Sequence, residues 1–253
     1  MKRGTASLFF ILTTFVLGVF GQKAEVAAEK KPATPALPSV KQVLDKYVTA
    51  IGGREAYLKI KSRSGSGTIE IPAMGIKGSF DSLYAPDAKM YMKMTIPGLG
   101  DMLEGSDGKT SWAVNPIQGS RTKAGKELAQ GLLSANFYKD INLDTVYTKL
   151  EVVKKDKVND RDVYVVKATK DDLPEDTYYF DAENGLLVRT DSTAITPEGQ
   201  TTSSSYYEDY READGVKIPQ KLRIVTPQFQ MILTITSLKN NVEVDETKFA
   251  MPK

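Results

Sequence analysis

The chain has 253 residues, a formal charge of +2, 41% hydrophobic and 26% charged residues, and neither histidine nor cysteine. The missing types exclude Ser-His-Asp and Cys-His catalytic sets, zinc and iron–sulfur ligation, haem held by histidine, and disulfides, so the fold must rest on its core alone. The length suits one large domain or two small ones, and the near balance of charge leaves no footprint for nucleic acid.

Lys2 and Arg3 precede an apolar run from Leu8 to Phe20 that closes on Val19-Phe20-Gly21. This is the pattern of a cleaved export signal over residues 1–21, and the run is shorter than the ~20 residues a membrane-spanning helix needs. An uncleaved anchor is the alternative reading. Without Lys2 and Arg3, 32 of the 34 basic residues remain against 32 acidic ones, so the mature chain is neutral. No cysteine follows the run, so the expected product is periplasmic or secreted and is not a lipoprotein itself. Residues 22–38, with Pro32, Pro35 and Pro38 and little to bury, read as a flexible linker.

The folded domain is expected over 39–253. Ser39 suits a helix N-cap, and Val40, Val43, Leu44, Tyr47, Val48 and Ile51 recur at helical spacing until Gly52-Gly53 stops them. Arg54 to Ile60 reads as a second short helix packing through Ala56, Leu58 and Ile60. From Ser62 the pattern turns to short strands, among them 68–71, 90–96, 163–168, 186–190, 203–210 and 230–237. Asp107-Gly108, Asn184-Gly185 and Asp214-Gly215 predict tight hairpins in which both central residues take positive φ. Without a βαβ rhythm the sheet should be antiparallel and mostly meandering. One amphipathic helix interrupts it, Gly125 to Ala135, with Leu128, Leu132 and Leu133 expected as a lid over the sheet.

Period two puts Met90, Met92 and Met94 on one strand face, a surface adaptable enough for flexible acyl chains or for plain core packing. Trp112, the only tryptophan, suits either a cavity wall or core. Phe229, Met231, Leu233 and Ile235 share a face that is fully buried or lines a cavity. Asp140-Ile-Asn142-Leu-Asp144 with Glu151 imitates calcium-loop spacing, but Thr145 stands where the turn needs glycine, so no metal site is assigned. The acids Asp171, Asp172, Glu175 and Asp176 read as a solvated loop, and Tyr206, Tyr207 and Tyr210 as structural.

Four stretches together resemble a known family. They are Val43 to Tyr57, ending in Ile51-Gly-Gly-Arg-Glu-Ala-Tyr57; Tyr179-Phe-Asp-Ala-Glu-Asn-Gly-Leu-Leu-Val-Arg189; Tyr207 to Pro219, with Ala213-Asp-Gly-Val-Lys-Ile-Pro219; and Val244-Asp-Glu-Thr-Lys-Phe-Ala-Met-Pro252. Over the whole of 39–253 they resemble the outer-membrane lipoprotein-sorting, periplasmic carrier (LolA/LolB-like) superfamily. The resemblance implies an α+β, mainly β fold: a strongly curved antiparallel sheet, an incomplete barrel, with helices plugging its open side. It also implies a carrier without enzymatic activity or cofactor that shelters a lipid or lipoprotein acyl chain. The expected lining is Met90, Met92, Met94, Trp112, Phe229, Met231 and Leu233, with Leu128, Leu132 and Leu133 as lid. Lipoproteins or an envelope protein are the expected partners. The alternative is an envelope interaction module with a packed, ligand-free core, and a carboxylate hydrolase is the third reading, reviving only if two acids face each other inside the hollow.

Overall fold

A computed structural model describes residues 36–171 and 173–252. The expected leader and most of the expected linker lie outside the described residues. Ser39 accepts from the amide of Gln42, whose side chain accepts in return from the Ser39 amide, and this capping box opens helix α1, Val40–Ala50. The helix buries Val43, Leu44 and Tyr47. Gly52 then takes φ +113°, and an added Cβ there would meet the Gly215 carbonyl oxygen at 2.1 Å. Helix α2, Arg54–Leu58, turns inward through Tyr57 rather than Leu58, which is exposed.

Two antiparallel meanders follow. The first comprises β1 (Arg63–Ile71), β2 (Ile76–Ala85), β3 (Lys89–Ile96), β4 (Gly100–Asp107), β5 (Ser111–Asn115) and β6 (Gly119–Thr122). Helix α3 (Gly125–Ala135), a 3-10 turn at Lys139–Ile141 and helix α4 (Leu143–Val146) connect it to the second. That meander comprises β7 (Lys149–Val158), β8 (Arg161–Thr169), β9 (Asp176–Asp181), β10 (Leu187–Thr196), β11 (Gly199–Ala213), β12 (Val216–Val225) and β13 (Gln230–Asn240). β1 pairs with β13, Arg63 opposite Asn240, and this joins the meanders into one thirteen-stranded sheet with β6 and β7 at its edges. The sheet is curved but not closed into a barrel. Because α3 and α4 link the two edge strands, they must run across the open side.

Of the three expected hairpins, only Asp214-Gly215 uses two positive φ values; at the other two, glycine alone does. Asp87-Ala88 and Asn159-Asp160 make such turns without glycine, which hid them from sequence. The main core lies between α1, α2 and the inner face of the second meander, where Tyr47, Ile51, Val166, Phe180 and Val216 are buried. On the outer face the C-terminal segment packs Phe249 against Leu83 and Ala85. Among the described residues no helix is long and apolar enough to cross a membrane.

Candidate functional site

The inner face of the sheet holds two adjoining lobes of a hollow. One, about 580 Å³, lies between the first meander, β10 and α3. The other, about 380 Å³, lies under α1, α2 and the 3-10 turn. Tyr84, Ser134, Lys139 and Tyr178 line both.

The larger lobe is walled by Met90, Met92 and Met94 of β3, with Met102 opposite Met94 on β4. The alternation that put these methionines on one face in sequence aims them inward. Its polar groups are mostly engaged. Glu104 pairs with Lys123, and Arg121 donates twice to Glu127 at 2.7 Å. Asp176 accepts from the Tyr147 hydroxyl at 2.6 Å, which lies 2.7 Å from that of Tyr178. Burial holds the Asp176 carboxyl above its ordinary range despite that bond. These acids are tied to cations or a phenol, which is not the free facing pair that hydrolysis of a glycosidic type requires.

The smaller lobe is lined by Tyr47, Tyr57, Tyr84, Tyr178, Tyr207 and Tyr210, with Leu222, Ile235 and Leu238. Burial pushes the phenols of Tyr57, Tyr84 and Tyr207 up to about 12 and that of Tyr210 well above its usual value, so all are neutral. Tyr210 donates to the Leu187 carbonyl at 2.9 Å. Tyr207 and Tyr210 thus face the hollow, whereas Tyr206 lies outside, with Arg223 over its ring at 3.9 Å.

Helix α3 covers the larger lobe, but by a different face from the one its leucines predict. Leu133 lines the hollow together with Glu127, Gln130, Gly131 and Ser134, while Leu128 and Leu132 are not part of the lining. The helix has to satisfy polar groups along the mouth, and Gln130 does so at its centre. Its side-chain amide donates to the Thr193 carbonyl at 2.7 Å and accepts from the Ile195 amide at 2.8 Å, which ties the lid to β10. Nearby, Gln118 in the β5–β6 turn reaches Glu198 in the β10–β11 turn at 2.7 Å.

The other expected wall residues are placed elsewhere. Trp112 is a correction: it pairs with Gly105 and faces outward, away from Met92, because its neighbours Ser111 and Ala113 take the inward positions on β5. It is 1% exposed, and its indole donates to the Phe249 carbonyl at 2.7 Å under the C-terminal segment. Met231 and Leu233 share the inner face with Ile235, but they pack against Ile69, Phe80 and Met94 as solid core at one end. Phe229 precedes β13 and closes a turn, its carbonyl accepting from the Thr226 amide at 2.9 Å. Arg63, Lys139 and Lys217, which carry no distinguishing sequence signal, line the smaller lobe and, among the described residues, form no ion pair with a carboxylate.

The sequence matches no protein-family model and no curated protein. Among solved structures, the chain is similar to a LolA superfamily protein from Nitrosomonas europaea at a TM-score of 0.56 and 13% identity, covering 85% of this chain and 99% of that one. The fold is LolA-like. An outer membrane lipoprotein-sorting protein domain from Vibrio parahaemolyticus aligns with a TM-score of 0.51 and 13% identity, over 82% of this chain and 94% of that one. A DUF1329 family protein from Desulfovibrio piger gives 0.53 and 14%, over 83% and 97%. At these identities the likeness is one of fold.

Proposed function

We propose that this protein is a non-enzymatic carrier or binding protein, which shelters a lipid or a lipoprotein acyl chain in the hollow. The observation that carries the reading is the hollow itself: each lobe falls within the roughly 300–1,000 Å³ of ordinary ligand pockets, with adaptable methionines on one wall and a tethered helix above. Burying each methylene of such a chain is worth about 0.8 kcal/mol, so a long chain offsets the cost of its own ordering. The proposed organisation is a leader over 1–21, a linker over 22–38 and the carrier domain over 39–253. The leader pattern supports export to the periplasm or beyond, and a solved neighbour named for outer membrane lipoprotein sorting supports lipoproteins as partners.

Native mass spectrometry of protein purified without detergent tests this. The expected result is a mass excess that matches a lipid and disappears on organic extraction. A reproducible apo mass, with no binding of an apolar dye, overturns it in favour of an interaction module with a packed, ligand-free core.

A further inference from the structure

The lobes meet at a cationic centre. Lys139 lines both, and among the described residues its ammonium makes no hydrogen bond and no ion pair. The Tyr178 phenol, then Asp140, Tyr207 and Asp176, raise its pKa against the opposing pull of burial, so it stays charged. Arg63 reaches the same space from β1. Its Nε donates to Asn240 at 2.9 Å, and its guanidinium lies 5.6 Å from the ring centre of Tyr57 and 5.7 Å from that of Phe137. Its Nη2 is buried without a hydrogen-bond partner. A buried charged donor left unmade is costly, and a guanidinium held by two rings is already oriented for an oxyanion.

Tyr84 connects the two cations. It lines both lobes, stands opposite Arg63 across β1 and β2, and its hydroxyl makes no hydrogen bond among the described residues; burial and the Glu104 carboxylate raise its pKa, against which Arg63 and Lys139 act. Lys217 adds a positive charge at the edge of the smaller lobe, and Asp140 is the carboxylate there. Around the centre, cations therefore outnumber acids that are not already engaged.

We propose that Lys139, Arg63 Nη2 and Tyr84 bind the oxyanion headgroup, phosphate or carboxylate, of a long-chain amphiphile whose tail occupies the methionine lobe. The inference rests on the carrier reading and adds the charge of the cargo. Because Lys139 lines both lobes, a headgroup there has the methionine wall within reach of its chain.

The test is isothermal titration of the lipid-extracted protein with dodecyl phosphate, dodecanoate and dodecanol, which share one chain length. The expected result is that at least one anion binds about tenfold or more tightly than the alcohol, the scale of one charge-assisted hydrogen bond. Lys139→Met and Arg63→Met should remove most of that preference for the anion over the alcohol, while Lys139→Arg should keep it. Equal binding of all three by the unaltered protein overturns the inference and leaves the carrier reading standing, and this comparison decides even if a substitution fails to fold. Binding of none of them removes the carrier reading itself. Inorganic phosphate competing as well as dodecyl phosphate overturns the amphiphile and assigns the centre to a free anion.

Discussion

Replacing Trp112 with phenylalanine separates the outer face of the sheet from the hollow. The indole is 1% exposed, rests on Gly105 and donates to the Phe249 carbonyl at 2.7 Å. Phenylalanine keeps one ring and deletes the donor. The buried carbonyl then loses its partner, at about 1–3 kcal/mol, and the missing second ring leaves a void worth about another 1 kcal/mol. A total near 3 kcal/mol, at roughly 2–4 °C per kcal/mol for a domain of this size, lowers Tm by about 6–12 °C in a calorimetric or circular-dichroism melt. Binding of an apolar dye should be unchanged, because the residue faces away from Met92. A variant that melts like the parent, or one that loses dye binding at an unchanged Tm, refutes this placement.

Met92→Trp should do the opposite, filling the larger lobe and reducing dye or lipid binding severalfold at a Tm within a few degrees of the parent, read by titration and melting together. Gln130→Ala removes both bonds between α3 and β10; ligand should dissociate faster and α3 amides exchange faster, at a global cost of about 1–2 kcal/mol. Gly52→Ala forces a Cβ onto the Gly215 carbonyl at φ +113°, so chemical denaturation should show a loss of about 3 kcal/mol or more. Asp191 is pushed upward by burial, but bonds from Arg189, Tyr179 and Ser204 outweigh this and hold its pKa below the ordinary carboxylate value. The native state therefore binds fewer protons than the unfolded one, and the stability gained is present above about pH 4 and lost as pH falls through the lowered value. Asp191→Asn should be less stable than the parent near neutral pH, with the gap closing in acid.

The elements with local chemistry were legible. Ser39 marked the start of α1, and strict alternation placed three methionines on one face of β3. What failed needed information that no short window holds. A lone tryptophan after a turn has no periodic partner to say which side it takes, so Trp112 stayed ambiguous. The leucines of α3 suggested an apolar lid, yet polar groups along the mouth select the face carrying Gln130 and Glu127. β7 is not among the strands named from sequence: Lys149, Lys154, Lys155 and Lys157 make it polar, a composition that suits an edge strand by discouraging further pairing. The tyrosine wall is drawn from α1, α2, β2, β9 and β11, and only curvature gathers it. Arg63 looks like any surface arginine until its strand is rolled inward.

The pairing of β1 with β13 also sets an order of events during synthesis. Each meander folds from neighbours in sequence, but the seam between them joins the first strand to the last. As the chain emerges N-terminus first, β1 presents an unpaired edge until β13 has been made, about the longest wait the chain allows. Long-range closure of this kind is slow and leaves an edge open to wrong partners in the meantime. A truncation that removes β13 would therefore trap the nascent sheet with its middle exposed, and aggregation, rather than a smaller folded domain, is the outcome such a fragment should display.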